Sequence, residues 1–515
     1  MNFKKQIWLL IGFSTLLRMM VAGSLELGND EAYYQGYALH LQWNYFDHPP
    51  MLALLIRLGT FNGFFHHEFF IRLGSILCAG ISTYFIYRIG CRIRNESTGW
   101  IAALLYTTSF YTSIIAGTFI LPDSPEVLFW VISMYLMIRI VQAPAQTQIS
   151  CWFFILLGIS AGLCIMSKVH GVFLWLGLFG FIIFHRRDLL KNPFLYLGLV
   201  ISLIIISPIY FWNVQNHFIT YTYQNNRVIL WGKIPDAGRF LQQVLGSVFY
   251  CNPVNFVIYI ISLIAILKRK VRSLPGYFTL LLWLSLPLIL LLLWMSLFND
   301  TLPHWSGPAY ISIMLISALY LEQQYQKGVF PKAIKIAAFS FVAMACLGVF
   351  AIRSLPFRIG SHKPMQLGKG DITLDMVGWK DFAIKFDSLY RSDKKEGRMK
   401  PGAMIISDYW FPAGHLDHYI GQPFHINLRA VGPLNDIHHF AWLNQRRPLL
   451  KNGDDAYFIY PSNYYGPPKD SLINCFRIVD DPVIIPQFRM SKPVRNFVIC
   501  RMHGFIASPP GPALP

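Results

Sequence analysis

The 515-residue chain is 54% hydrophobic and 16% aromatic, and only 14% of it is charged. A soluble domain carries about a quarter charged residues, and one globule does not bury so many apolar stretches, so a purely soluble protein is excluded. The net charge of +18 needs no nucleic-acid partner, because Lys and Arg collect in the cytoplasmic loops of membrane proteins and near anionic headgroups.

Lys4-Lys5 followed by an apolar run from Ile7 to about Gly23 has the outline of a signal peptide. No small-x-small cleavage site precedes a hydrophilic stretch, so the run reads as an uncleaved first helix. Stretches long enough to cross a hydrocarbon core of about 30 Å recur near 69–90, 98–118, 124–141, 151–167, 170–185, 194–212, 245–267, 276–297, 307–321 and 333–353. The expectation is an all-α polytopic membrane domain over 1–354 with about eleven transmembrane helices. Lys4-Lys5, Arg88/Arg92/Arg94, His185-Arg186-Arg187 with Lys191, Lys268-Arg269-Lys270 with Arg272, and Lys327/Lys332/Lys335 fall in alternate loops, which the positive-inside rule assigns to the cytoplasm. The remaining loops then share the opposite face, and an odd helix count sends the tail there too.

From 355 to 507 the chain reads as a small soluble extracytoplasmic α/β domain. Short strands are expected at Ala403–Ser407, Asp455–Tyr460, Cys475–Val479 and Phe497–Arg501, and a helix at Asp408–Gly421. The Pro-rich end, 508–515, reads as a disordered tail. Six of the eight cysteines lie in or beside apolar spans, without metal-ligand spacing, and read as small core hydrophobes. Cys475 and Cys500 could pair in an oxidising compartment. There is no internal repeat, Walker loop or dinucleotide-binding glycine fingerprint.

The outward loops hold the chemistry. Gly28-Asn29-Asp30-Glu31-Ala32-Tyr33-Tyr34 predicts a short helix in the headgroup layer, with its aromatics at the interface and Asp30 at its N-terminus, where free backbone donors favour a carboxylate. In Asp47-His48-Pro49-Pro50 the adjacent prolines stiffen the chain and fix where an acid and an imidazole point. Asp123 and Glu126 precede or open a helix, where both also suit a cap and first turn. Lys168 and His170 sit in a short break between apolar spans, and a lysine at such depth needs a partner or must snorkel. Asn213 and Gln215 end one span, and His304 opens another.

Asp30-Glu31-Ala32-Tyr33-Tyr34, Tyr45-Phe46-Asp47-His48-Pro49-Pro50, Pro122-Asp123-Ser124-Pro125, Ser167-Lys168, Trp212-Asn213-Val214-Gln215 and Pro303-His304-Trp305, in this order, resemble the GT-C integral-membrane glycosyltransferases of the protein O-mannosyltransferase-like superfamily. That superfamily includes the bacterial transferases that add aminoarabinose to lipid A. The resemblance implies a GT-C fold and an inverting glycosyltransferase that takes a sugar from a polyprenyl-phosphate donor. The acceptor would be a hydroxyl on a lipid, glycan or protein at the outer face of a bacterial inner membrane. Asp30 matches the acid assigned as catalytic base, with Glu31 beside it, and Lys168 a position that approaches donor phosphate. Asp47 and His48 match an acid followed by a basic residue that is lysine in the aminoarabinose branch, so His48 is a departure.

Polyprenyl phosphate leaves without a general acid; positive charge near its oxygens and a base on the acceptor hydroxyl suffice. Lys168, His170 and His48 are the candidates for the first role, and Glu31, Asp47, Asp123, Asn213, Gln215 and His304 for orienting donor and acceptor. A divalent metal is left open, since Asp30, Glu31, Asp47, His48, His170, His217 and His304 offer ligands without a tight motif. The competing class is a transporter or flippase of lipid-linked sugars; charges gathered on one face rather than at mid-membrane argue against it.

Overall fold

The computed structural model describes residues 2–144, 149–229, 232–271, 276–328, 330–464 and 466–506. The proline-rich 508–515 and Arg272 lie outside them. In chain order the principal helices are α1 (Phe3–Ser24), α2 (Asn29–Leu39), α3 (Met51–Gly59), α4 (Glu68–Ile93), α5 (Glu96–Thr108), α6 (Asp123–Gln142), α7 (Cys151–Ile165), α8 (Val172–His185) and α9 (Pro193–Gln215). They continue with α10 (Ile219–Val228), α11 (Ala237–Cys251), α12 (Pro253–Leu267), α13 (Phe278–Trp283), α14 (Leu286–Met295), α15 (Gly307–Tyr325), α16 (Lys332–Ser354), α17 (Trp379–Lys395) and α18 (Trp410–Leu416). The strands are β1 (Met404–Ser407), β2 (Leu428–Ala430), β3 (Ala456–Pro461), β4 (Phe476–Val479), β5 (Val483–Arg489) and β6 (Lys492–Phe505). The chain divides into two compact units: Met1–Ala22 with His48–Ala345, and Gly23–Asp47 with Cys346–Pro515.

The first unit is helical and apolar. Every stretch expected to be a span is mainly helical, and six helices among the described residues are long and apolar enough to cross a membrane: α1, α4, α6, α9, the α13–α14 stretch and α16. α7 and the Val169–His185 stretch are shorter apolar helices. The expected straight span at 245–267 is instead two helices, α11 and α12, bent by 101°. Asn252 makes the corner. Its φ of 71° turns the chain, Pro253 opens α12 where its missing N–H costs nothing, and its Nδ2 donates to the carbonyls of Thr108 and Ala337, each at 2.9 Å. The 98–118 stretch is α5 followed by a π-helical turn at Tyr111–Ile115, a feature common at functional sites. α7 and α9 cross so closely that a Cβ at Gly158 would lie 2.3 Å from the Gly198 carbonyl oxygen. Glycine at such crossings lets apolar backbones approach and pack.

The second unit is built on a six-stranded sheet of order β2-β1-β3-β6-β4, with β5 also on β6. β1 runs parallel to β2 and β3, whereas β6 is antiparallel to β3, β4 and β5. The four expected strands are present within a residue or two, except that Phe497–Arg501 is only the middle of the 14-residue β6. β2 and β5 are additional. The Asp408–Gly421 helix is α18 followed by a π turn at Asp417–Gly421. α17 is tied to the sheet by Asp393, which accepts from the Arg501 guanidinium at 2.7 and 2.9 Å and from Tyr457 Oη at 3.0 Å. Cys475 and Cys500 are both free thiols, so the pairing considered from sequence is not made; each is a buried core residue.

Candidate functional site

In the first unit, Asp123, Lys168, His170, His304 and His48 gather around the N-terminus of α6. Asp123 is the first residue of that helix and is 1% exposed. Lys168 lies in the extended break after α7, with φ −159°, and its ammonium donates to both Asp123 oxygens at 3.0 Å. Tyr111, from the π turn, donates to Asp123 Oδ1 at 3.0 Å. The tyrosine is held in turn by Gly307, where a Cβ would lie 2.2 Å from Tyr111 Cζ. The backbone N–H of Met51, just beyond Pro49-Pro50, donates to the Met166 carbonyl at 3.2 Å, tying the His48 segment to the break that carries Lys168. His48, Lys168, Asp123 and His304 are among the titratable groups that act on His170, whose ring faces Trp305 at 6.1 Å.

Glu126 was read from sequence only as a first-turn acid. It is fully buried, its Oε2 is 3.8 Å from Lys168 Nζ, and its Oε1 is 3.7 Å from His170 Nδ1. Neither Glu126 oxygen has a hydrogen-bond partner among the described residues, nor does His170 Nδ1. One lysine therefore faces two carboxyl groups. The sequence signal was the i, i+3 spacing of Asp123 and Glu126, which puts both on one helix face. Asn213 is buried but turns back to its own helix, donating to the Ile209 carbonyl at 2.9 Å, and Gln215 is exposed at the end of α9.

The second unit holds Asp30, Glu31 and Asp47. α2 begins at Asn29 after Gly28, whose backbone N–H donates to Glu31 Oε2 at 2.8 Å. Glu31, 2% exposed, thus closes its own helix N-terminus, while Asp30 in the same turn is exposed. The tyrosines that follow, expected at the lipid interface, are buried in protein instead. Tyr33 packs on Trp410 of α18, whose Gly414 leaves no room for a Cβ beside the Tyr33 backbone N, 2.9 Å away, and Tyr37 stacks on Tyr45 at 4.1 Å. Their hydroxyls converge on Asp47: Tyr33 donates to Oδ1 at 3.2 Å, and Tyr37 donates to the same atom. Asp47 and His48, adjacent in sequence, therefore serve two different clusters. Among the described residues no three His, Cys, Asp or Glu side chains are grouped to hold a metal ion.

Two histidines that the sequence did not single out line α2. His415 stacks on Trp379 at 4.2 Å with Nε2 3.2 Å from Asn29 Oδ1, and burial pushes its imidazole well below the ordinary range. His439 lies edge-on to Tyr37 and Tyr45 and is fully buried; burial pushes its pKa from 6.5 down to about 3, with the Asp47 charge opposing. The unfolded chain takes up this proton below 6.5, and the folded chain only near 3. The stability His439 contributes is thus complete above pH 6.5 and is lost as pH falls toward 3. At pH 5 the loss is about 2 kcal/mol at about 1.4 kcal/mol per pH unit. His439→Gln is expected to show a smaller drop in Tm between pH 7.5 and pH 5 than the native chain, and equal drops would contradict this origin.

Residues 47–212 match the family model described as dolichyl-phosphate-mannose-protein mannosyltransferase. Among solved structures, ArnT from Cupriavidus metallidurans in the apo state matches with a TM-score of 0.64 at 12% identity, covering 96% of this chain and 98% of that one. The same protein bound to undecaprenyl phosphate matches at 0.62 and 15%, with the same coverage. The archaeal oligosaccharyltransferase AglB from Archaeoglobus fulgidus, in complex with an inhibitory peptide and a dolichol-phosphate, matches at 0.50 and 12%, covering 89% of this chain and 70% of that one. No curated protein sequence matches. The chain thus has the fold of the GT-C integral-membrane glycosyltransferases, and its residues 47–212 match the dolichyl-phosphate-mannose-protein mannosyltransferase model.

Proposed function

We propose that the protein is an inverting glycosyltransferase that moves a sugar from a polyprenyl-phosphate donor to a hydroxyl on a lipid, glycan or protein, at the outer face of a bacterial cytoplasmic membrane. The observation that carries the reading is the Asp123–Lys168 ion pair, buried and braced by Tyr111 at the end of membrane helices. A buried ion pair is weak evidence for stability alone, and a charged cluster at the end of membrane helices marks a functional site. The matched ArnT structure with undecaprenyl phosphate and the AglB structure with a dolichol-phosphate support a polyprenyl-phosphate donor.

Asp30, exposed in the first turn of α2, takes the proton of the acceptor hydroxyl as the C–O bond to the anomeric carbon forms. The bond to the phosphate oxygen breaks on the opposite side, and polyprenyl phosphate leaves with the electron pair. Lys168 supplies positive charge to that oxygen, and His170 and His48 stabilise it as hydrogen-bond donors. Asp123 holds Lys168 in place, and Asp47, Glu31, Asn213, Gln215 and His304 orient the hydroxyls of donor and acceptor. Supplying purified protein with radiolabelled polyprenyl-phosphate hexoses and pentoses tests this. The expected result is label on an acceptor with one polyprenyl phosphate released per transfer. Label that crosses a vesicle membrane while still on its lipid would identify a flippase instead.

A further inference from the structure

The β5–β6 hairpin breaks a rule of local chemistry. Arg489 pairs with Lys492, so Met490 and Ser491 form a two-residue turn, and both are left-handed, with φ of 48° and 63°. Such turns favour Asn-Gly, and a residue with a Cβ is strained in that conformation. A long apolar side chain at the tip is nevertheless 62% exposed, and Phe488, one residue before Arg489, is 54% exposed. Alternation along β5 turns Gln487 and Arg489 inward and leaves Phe488 facing out.

The tip is fixed against the end of a helix long and apolar enough to cross a membrane. Arg489 Nη1 donates to the carbonyl of Ala351, in the last turn of α16, at 3.2 Å, and Lys492 Nζ donates to that of Pro356, just beyond it, at 2.8 Å. Arg489 also makes a buried ion pair with Asp371 at 3.0 Å, which brings Ile372, 77% exposed, beside the tip; Phe357, 56% exposed, follows Pro356. Arg353 and Lys492 are exposed beside these bonds, Lys363 and Lys369 are exposed in the segment that leads to Asp371, and Asp371 itself is buried in its ion pair with Arg489. Apolar side chains with lysine and arginine nearby in the chain, at the end of a helix long and apolar enough to cross a membrane, suit the boundary between headgroups and acyl chains of an anionic membrane.

We propose that Phe488, Met490, Phe357 and Ile372 form a foot by which the sheet-containing unit rests in an anionic lipid surface. The inference depends on α16 spanning the membrane and not on the glycosyl-transfer reading. The test uses the full-length protein in nanodiscs of phosphatidylethanolamine and phosphatidylglycerol, with a spin label at Met490→Cys and Cys346→Ala as background, because Cys346 is exposed. Asn452→Cys is the control. The adjoining Gly453 bonds the Phe505 carbonyl, so this site lies at the other end of β6, about 45 Å from Lys492 for 14 residues at about 3.3 Å each. The ratio of oxygen to nickel-chelate collision is expected to be several-fold higher at 490 than at 452, and to fall when phosphatidylcholine replaces the anionic lipid. Equal ratios at both sites overturn the proposal. So does a label at 490 shielded from both agents, which would indicate a protein partner. Phe488→Cys repeats the measurement if the 490 variant does not fold.

Discussion

Asp30→Asn is expected to lower glycosyl transfer by roughly two to four orders of magnitude, the usual loss when a general base is removed, while the protein remains folded. The two effects separate because Asp30 is exposed in the first turn of α2. Its interaction with the helix dipole is worth about 0.3–1 kcal/mol, and asparagine retains an acceptor there. The loss should fall on kcat, with little change in KM for the donor. Glu31→Gln is the internal comparison: the amide oxygen can still accept from the Gly28 N–H that Glu31 now binds, so a much smaller loss is expected. Near-native turnover by Asp30→Asn, or an equal loss in both variants, would remove Asp30 from the role of base.

Lys168→Met is expected to be the most destabilising of the single changes considered, by about 3–5 kcal/mol, the range for leaving one partner of a buried ion pair alone. The ammonium is 3.0 Å from both Asp123 oxygens and 3.8 Å from Glu126, so its removal leaves two buried carboxyl groups without a cation. Asp123→Asn combined with Lys168→Met should cost clearly less than the sum of the two single changes, because each alone strands the other's charge. Thermal unfolding of the purified variants measures this coupling; additive losses would show that the two side chains do not depend on one another. Transfer should be lost in Lys168→Met and stay lost in the stabilised double variant. Recovery of transfer in the double variant would mean that the pair serves the fold alone.

The membrane unit was legible because a bilayer imposes length and apolarity on each span, a signal local to each segment. Asn252 escaped that reading: a left-handed asparagine before a proline within an apolar run bends α11 from α12 only because Thr108 and Ala337 offer carbonyls from distant helices. The sheet-containing unit was harder to read. β2 has three residues, β5 carries Pro486, and α17, whose Trp379, Phe382, Ala383 and Phe386 lie on one buried face, does carry the i, i+3, i+4, i+7 signature. In the site, the residue types were visible and their partners were not. Lys168 and Asp123 are 45 positions apart, and nothing local says that the lysine chooses Asp123 over Glu126. The tyrosines after Asp30 fitted an interfacial helix equally well, and it took α18 and His439, some 380–400 residues further on, to bury them.

The proposed site requires Asp30 and Lys168 to face one compartment, and cysteine labelling in intact cells measures this. Asp30→Cys and Val169→Cys, the latter beside Lys168 at a position 65% exposed, are each treated with a membrane-impermeant maleimide. Both are predicted to react from outside the cytoplasmic membrane without permeabilisation. Reaction of either one only in inverted vesicles would put the acid and the lysine on opposite sides of the bilayer and contradict the proposed site.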